Sequence, residues 1–277
     1  MPRVLLIGSD AALRDGLAAS GALAGGQIAT AAGNVDAVHH VRCRAVDVVV
    51  TDPATPVEDD LALLDELRAA RPGLRAIVLA PAATPAEFIA AVRSRVFGCF
   101  VAPFDIPAIA AMTKLAIETA DWRDGLRVES GLPDWVSLTV NCQRVSAERL
   151  IHFMNEYRRD VPGPDRDDLM LAFREVLINA MEHGAGFDPD QVVEVSAVRT
   201  ERAIVYHFRD PGRGFDRARP ERPVLSAPEG DALEVIERRV ELGLRPGGFG
   251  MLLAKKAVDE MFYNELGNEV LLIKHLG

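Results

Sequence analysis

The chain has 277 residues, 49% hydrophobic and 26% charged, enough for about two soluble domains with full cores. Its formal net charge of -10 argues against a general nucleic-acid binder, which needs a basic footprint to displace phosphate counterions. Cys43, Cys99 and Cys142 form neither a disulfide framework nor a zinc spacing, and no apolar run reaches the ~18 residues of a membrane span, so a cytoplasmic, membrane-free protein is expected.

The opening MPRVLLIGSD is too short an apolar run for a signal peptide and reads instead as a first strand. Short apolar runs at 4–7, 28–30, 46–51, 76–80 and 99–102 alternate with amphipathic stretches near 11–23, 34–44, 59–70, 85–95 and 106–121. Five strands alternating with five helices predict a doubly wound, three-layer α/β domain over residues 1–121, built on a parallel five-stranded sheet. The functional edge of such a sheet lies at the strand C-termini. Asp10, Asp52 and the step Ala102-Pro103-Phe104 all fall there.

This segment resembles the receiver domain of two-component response regulators, which implies a flavodoxin-like fold. Asp52, closing VDVVVTD, stands where a receiver carries its phosphoacceptor aspartate, and Pro56 and Pro103-Phe104 match the family's later signatures. Three departures stand beside the matches: Ser9-Asp10 replaces a pair of acids, Ala80 replaces a hydroxyl residue, and Ala102 replaces the lysine. Without the hydroxyl and the ammonium, a phosphate on Asp52 gains few charge-assisted hydrogen bonds and little energy for switching. A degenerate receiver acting as a docking or dimerisation module is therefore expected, with phosphorylation of Asp52 the lesser alternative.

Residues 122–133 are polar, close with Gly131 and Pro133, and read as a short linker, with Trp122 and Trp135 near the junction. In the remaining segment, 134–277, WVSLTVN at 135–141 alternates as a half-buried strand. A helix is predicted over 146–160 with Ser146 as N-cap and Leu150, Ile151, Met154 and Tyr157 as its apolar stripe. His152 on that helix lacks the acidic neighbour and long helical hairpin of a phosphoacceptor histidine, and is read as structural or exposed.

After the Pro162-Gly163-Pro164 break a helix is predicted over 165–183, containing FREVLINAMEHG. Its stripe Leu169, Ala172, Phe173, Val176 and Ala180 is apolar, while Glu175 and Asn179 lie one above the other at helical spacing. A carboxylate and an amide so placed could serve a hydrated metal ion and activate a hydroxyl, or be a solvated face. Strands at 192–198 and 203–208 predict an antiparallel hairpin that leads into Asp210-Pro211-Gly212-Arg213-Gly214-Phe215. Asp210 could accept from an exocyclic amine, although Asp and Gly also fill ordinary turns. Four prolines and many charges occupy 216–246. Gly247-Gly248-Phe249-Gly250 then opens a helix predicted over 251–261, where free N–H groups suit phosphate. A final hairpin is predicted from 262–264 and 269–274.

Taken together, Glu175-x-x-x-Asn179, Asp210-x-Gly212-x-Gly214 and Gly247-Gly248-x-Gly250 resemble, in order and spacing, the three boxes of the GHKL ATPases. The match is nearest to the anti-sigma-factor serine/threonine kinases over 134–277, implying the two-layer α/β sandwich called the Bergerat fold. The resemblance implies ATP and Mg2+ as cofactors. It makes Glu175 the general base, Asn179 the metal residue and Asp210 the adenine acceptor, with Gly212 and Gly214 shaping the base pocket. Gly247, Gly248 and Gly250 would cradle the phosphates beneath a lid at 216–246, with Arg213 and Arg245 as nearby cations. The implied function is an ATP-dependent protein serine/threonine kinase in a partner-switching pathway, controlled by the receiver-like domain. Its implied partners are a STAS-domain antagonist, a sigma factor and a second copy of the chain, with no nucleic acid. The alternative is an ATP-gated binding protein without kinase activity.

Overall fold

Runs of valine, isoleucine and leucine too short for helices become the inner strands of the first of two units. The computed structural model describes residues 3–8, 10–20, 27–119, 124–214 and 249–276, and its contacts divide the chain into Met1–Pro133 and Asp134–Gly277. In the first unit β1 (Arg3–Ile7), β2 (Gln27–Ala31), β3 (Val48–Val50), β4 (Arg75–Ala80) and β5 (Gly98–Val101) form one parallel sheet in the order β2-β1-β3-β4-β5. Between them run α1 (Ala11–Ala19), α2 (Asn34–Cys43), α3 (Val57–Ala70) and α4 (Pro85–Arg93), and α5 (Ile106–Glu118) follows β5. This is the flavodoxin-like order, and the central strands are apolar throughout because helices cover both faces.

The strand order reverses between β1 and β3, which puts Gly8 and Asp10 beside Asp52 at the crevice of the sheet. Asp10 caps α1, its carboxylate accepting from the Leu13 N–H at 2.9 Å. Thr84 and Glu87 form a reciprocal capping box at the start of α4. Where the sequence suggests a linker over 122–133, residues Leu126–Leu132 form a strand, β6. Leu126 is buried, and Gly131 lies against Ile89 of α4. Trp122 lies outside the described residues; Trp135 is largely exposed.

The second unit places β7 (Trp135–Asn141), β8 (Val192–Arg199), β9 (Ala203–Arg209), β10 (Glu260–Tyr263) and β11 (Glu269–His275) in the order β10-β11-β9-β8-β7, every pairing antiparallel. Alternation sends Val136, Leu138, Val140, Val193, Val195, Ala197, Ile204, Tyr206, Phe208, Val270 and Leu272 to one buried face. There they meet α6 (Arg144–Tyr157) and α7 (Gly163–Asn179), and α8 (Phe249–Ala257) packs on α7, giving two layers.

Three boundaries differ from those expected. Gln143, in extended conformation, occupies the N-cap of α6, and Ser146 is buried within the helix. The chain breaks between α6 and α7 as expected, but α7 begins at Gly163 rather than 165, because proline is tolerated in a first turn. Helix α8 stops at Ala257 rather than 261, since Glu260 and Met261 pair with Ile273 and Leu272 of β11.

One buried acid ties the first unit together. Asp60 of α3 is 1% exposed and its carboxylate accepts from Thr51 Oγ1 at 2.5 Å and Thr55 Oγ1 at 2.7 Å. Thr51 Oγ1 in turn accepts from the Leu79 N–H of β4 at 3.0 Å. Burial raises the Asp60 carboxyl to about 6; the two hydroxyl donors oppose the shift, and the nearby Asp52 and Asp59 charges add to it. The folded state therefore holds this proton more tightly than the unfolded chain. Its contribution is complete below the unfolded value of 3.8 and is lost as pH rises through about 6. Between about pH 4 and pH 7 the first unit is expected to lose at most about 3 kcal/mol from this group. Asp60→Asn is expected to flatten that slope in urea titrations of the full chain followed by the amide resonances of β3 to β5.

Candidate functional site

The site is built outward from α7. Leu169, Ala172, Phe173, Val176 and Ala180, spaced for one helical stripe, are all buried. Phe173 seats edge-on against Tyr206 and Phe208 of β9, with ring centroids 4.9 Å and 5.0 Å away. That contact sets the rotation of the helix and leaves Glu175 and Asn179, one turn apart, half-buried away from it.

At Asn179 the helix passes into a π-helical turn, Ala180–Gly184, a wider coil that frequently marks a functional site. The turn is closed by the Phe187 N–H donating to the Met181 carbonyl at 2.8 Å. It delivers Gly184 to the underside of Asp210. A Cβ on Gly184 would overlap the Asp210 carboxyl, and one on Gly212 would stand 2.7 Å from Asp210 Oδ1 and 2.9 Å from the Gly184 carbonyl oxygen. The three residues thus stack so closely that any side chain on either glycine displaces the acid.

Asp210 follows β9 directly. Its N–H donates to the Asn268 carbonyl at 3.0 Å, and its Oδ1 accepts from the Gly212 N–H at 2.8 Å. Burial raises its pKa, against the Gly212 N–H, which lowers it. Beneath it the Cys142 thiol is pushed up to about 11 by burial, then by the Asp188 and Asp210 charges.

One turn before the π turn, Gly250 in the first turn of α8 comes against Glu175 of α7, where a Cβ would overlap Glu175 Oε2. The start of α8, with its unpaired N–H groups, is therefore brought to a carboxylate. Glu175, which meets Gly250, and Gly184, which meets Asp210 and Gly212, lie nine residue steps apart along α7 and its π turn, roughly 13 Å at helical rise. Arg213 is exposed. Gly247, Gly248, Arg245 and the stretch 216–246 lie outside the described residues.

Two contributors were missed by the sequence reading. Gly184 was seen only as the end of a helix, and Asn268 only as part of a turn. A glycine just past a predicted helix end is what an ordinary C-cap also provides, so Gly184 carries no separate signal in the sequence.

The first unit keeps its acids apart from this site's pattern. Asp52 is half-buried, accepts from the Ala54 N–H at 2.9 Å, and has Gly8 packed on its carboxylate, where a Cβ would lie 2.5 Å from Oδ2. Asp10, its neighbour at the crevice, is engaged in capping α1.

Residues 140–274 match the histidine kinase-like ATPase domain family. The second unit thus carries a histidine kinase-like ATPase domain. Similar solved structures include a CheY-like receiver domain protein from Methanospirillum hungatei JF-1, at 16% identity and a TM-score of 0.37, covering 43% of this chain and 94% of that one. A response regulator from Thermotoga maritima is 18% identical with a TM-score of 0.39, covering 43% and 99%. The receiver domain of the Francisella response regulator 1452 is 20% identical with a TM-score of 0.38, covering 44% and 100%. The fold of the first unit rests on its own strand order. Comparison with curated proteins gives no match.

The close stacking makes a direct test. Gly184→Ala and Gly212→Ala are each expected to cost about 1–3 kcal/mol through overpacking against Asp210. Gly163→Ala, where a Cβ meets nothing within 4 Å, is expected to stay near neutral. Chemical denaturation of the full chain, followed in the second unit, separates the two behaviours.

Proposed function

We propose that the second unit binds ATP with magnesium and transfers the terminal phosphoryl group to a serine or threonine of a partner protein. The observation that carries this reading is the approach of Gly250 to Glu175, which joins a potential base to the phosphate-binding end of a helix. A nucleotide lies along α7, its base at Asp210 and its phosphates at the start of α8. Asp210 accepts the exocyclic amine of adenine through the oxygen that Gly212 does not use. The backbone of Gly250, with Gly247 and Gly248, receives the phosphates.

Glu175 takes the proton of the attacking hydroxyl, and the buried stripe of α7 holds it there without a flexible loop. Asn179, one turn on, offers an amide oxygen to magnesium. Among the described residues no group of three or more His, Cys, Asp or Glu could hold a metal alone, which suits an ion that takes most of its ligands from phosphate and water. Magnesium bound with ATP neutralises charge on the phosphoryl oxygens, and positioning supplies most of the rest.

The pathway we favour is partner switching: the substrate is a STAS-domain antagonist, a sigma factor is the competing partner, and two chains pair through their kinase units. The receiver-like unit controls access through an interaction of its own. Among the described residues no helix is long and apolar enough to cross a membrane, which is compatible with a cytoplasmic site of action.

Capturing partners from native extract with and without ATP supplies the substrate, and labelled ATP then measures transfer. Wild-type chain is expected to label serine or threonine on the captured protein, and Glu175→Gln to lower that rate about 10²–10⁴-fold with ATP affinity little changed. ATP-dependent capture without any transfer would establish the chain as a nucleotide-gated binder instead.

A further inference from the structure

We propose that Asn264 and Asn268, in the turn between β10 and β11, are positioning residues for base recognition that make the site select adenine over guanine. The inference rests on the nucleotide reading given above and adds to it the device that sets specificity.

The two asparagines form one hydrogen-bonded unit. Asn264 Oδ1 accepts from three successive backbone N–H groups, of Gly267 at 2.8 Å, Asn268 at 3.1 Å and Glu269 at 3.2 Å. Its Nδ2 donates to Asn268 Oδ1 at 2.8 Å. With its oxygen so engaged, the Asn268 amide is oriented with Nδ2 toward the Asp210 carbonyl at 3.4 Å and the Gly212 carbonyl at 3.5 Å. The Asn268 backbone carbonyl accepts the Asp210 N–H at 3.0 Å. Further along, Gly214, at φ +73°, lies with its Cα against the Leu266 carbonyl, where a Cβ would overlap. Loop 210–214 is thereby fastened at its first, third and fifth residues to a turn that is itself locked.

The chemistry of the base makes this fastening matter. Adenine presents an amine where guanine presents a carbonyl. A carboxylate held still accepts from the first and repels the second, whereas one free to rotate discriminates poorly. Asp210 Oδ1 is occupied by Gly212 N–H, so the direction of its other oxygen is fixed by wherever the loop is held. Each corner of the turn needs a neutral side chain that accepts through one atom and donates through another, and asparagine is the shorter of the two amides that do so. Neither residue need touch the nucleotide.

The test measures ATP and GTP affinities of the full chain by titration calorimetry, for wild type, Asn264→Ala, Asn268→Ala and Asn264→Asp. Each alanine variant is expected to weaken ATP about tenfold while GTP changes less than about twofold, so that the ATP-to-GTP preference collapses. Asn264→Asp keeps the triple acceptor, and with it the turn, but puts an oxygen in place of the donor to Asn268 Oδ1, and is expected to lose the preference as the alanine variants do. Equal weakening of both nucleotides, or unchanged ATP affinity, would show a role in stability alone and overturn the inference while leaving the ATP reading intact. A wild-type chain that binds neither nucleotide removes the ATP reading and this inference together.

Discussion

The packing of Phe173 between Tyr206 and Phe208 is the constraint on which the second unit depends. Aromatic edges in a dry core tolerate little rotation, so the helix above them has one orientation. Glu175 and Asn179 inherit it, as does Gly184 at the end of the π turn. A base carried on a mobile loop would need ligand to order it. Here the apolar stripe holds Glu175 in place by itself, which is the preorganisation that the proposed role as a base requires.

Close approach is the second theme, and it works through absent side chains. Gly250 lets the start of α8 reach Glu175; Gly184 and Gly212 let two backbones close on Asp210. These contacts join elements far apart in sequence, and each would be lost to a single methyl group. They also explain how a carboxylate can be half-buried at 210 without a cationic partner among the described residues: its desolvation is met in part by the Gly212 N–H. The same acid is thereby left with one oxygen committed and the other directed.

Much of this was legible in the sequence, for identifiable reasons. The stripe from Leu169 to Ala180 has the 3.6-residue period, and strands such as VDVVV and WVSLTV carry their own signatures. What escaped was whatever shares a pattern with something else. A π turn at 180–184 has no period distinct from the α-helix it continues. Met261 and Phe262 extend an apolar run that suits helix or strand, so the end of α8 was set four residues late. The alternation in LRVESGL is hidden by its polar character, and β6 read as a linker. Asp60 follows Glu58 and Asp59 in an acidic first turn, where three acids in a row look solvated; only the tertiary positions of Thr51 and Thr55 reveal that one is buried.

That buried acid bears on how labour is divided between the units. In the first, Thr51 and Thr55, the hydroxyl residues flanking Asp52, turn their side chains inward to Asp60, and Asp10 turns to its helix. A charge added at Asp52 would thus lie near the Asp60 carboxyl, whose pKa the Asp52 charge already raises, with Ala80 and Ala102 offering no side-chain donor. Like charges so placed oppose a second anion rather than bind it. The second unit is arranged the other way, with a helix N-terminus brought to its carboxylate and glycines clearing space for a ligand. On this physical contrast the phosphoryl chemistry proposed for the chain fits the second unit better than it fits the surroundings of Asp52 in the first.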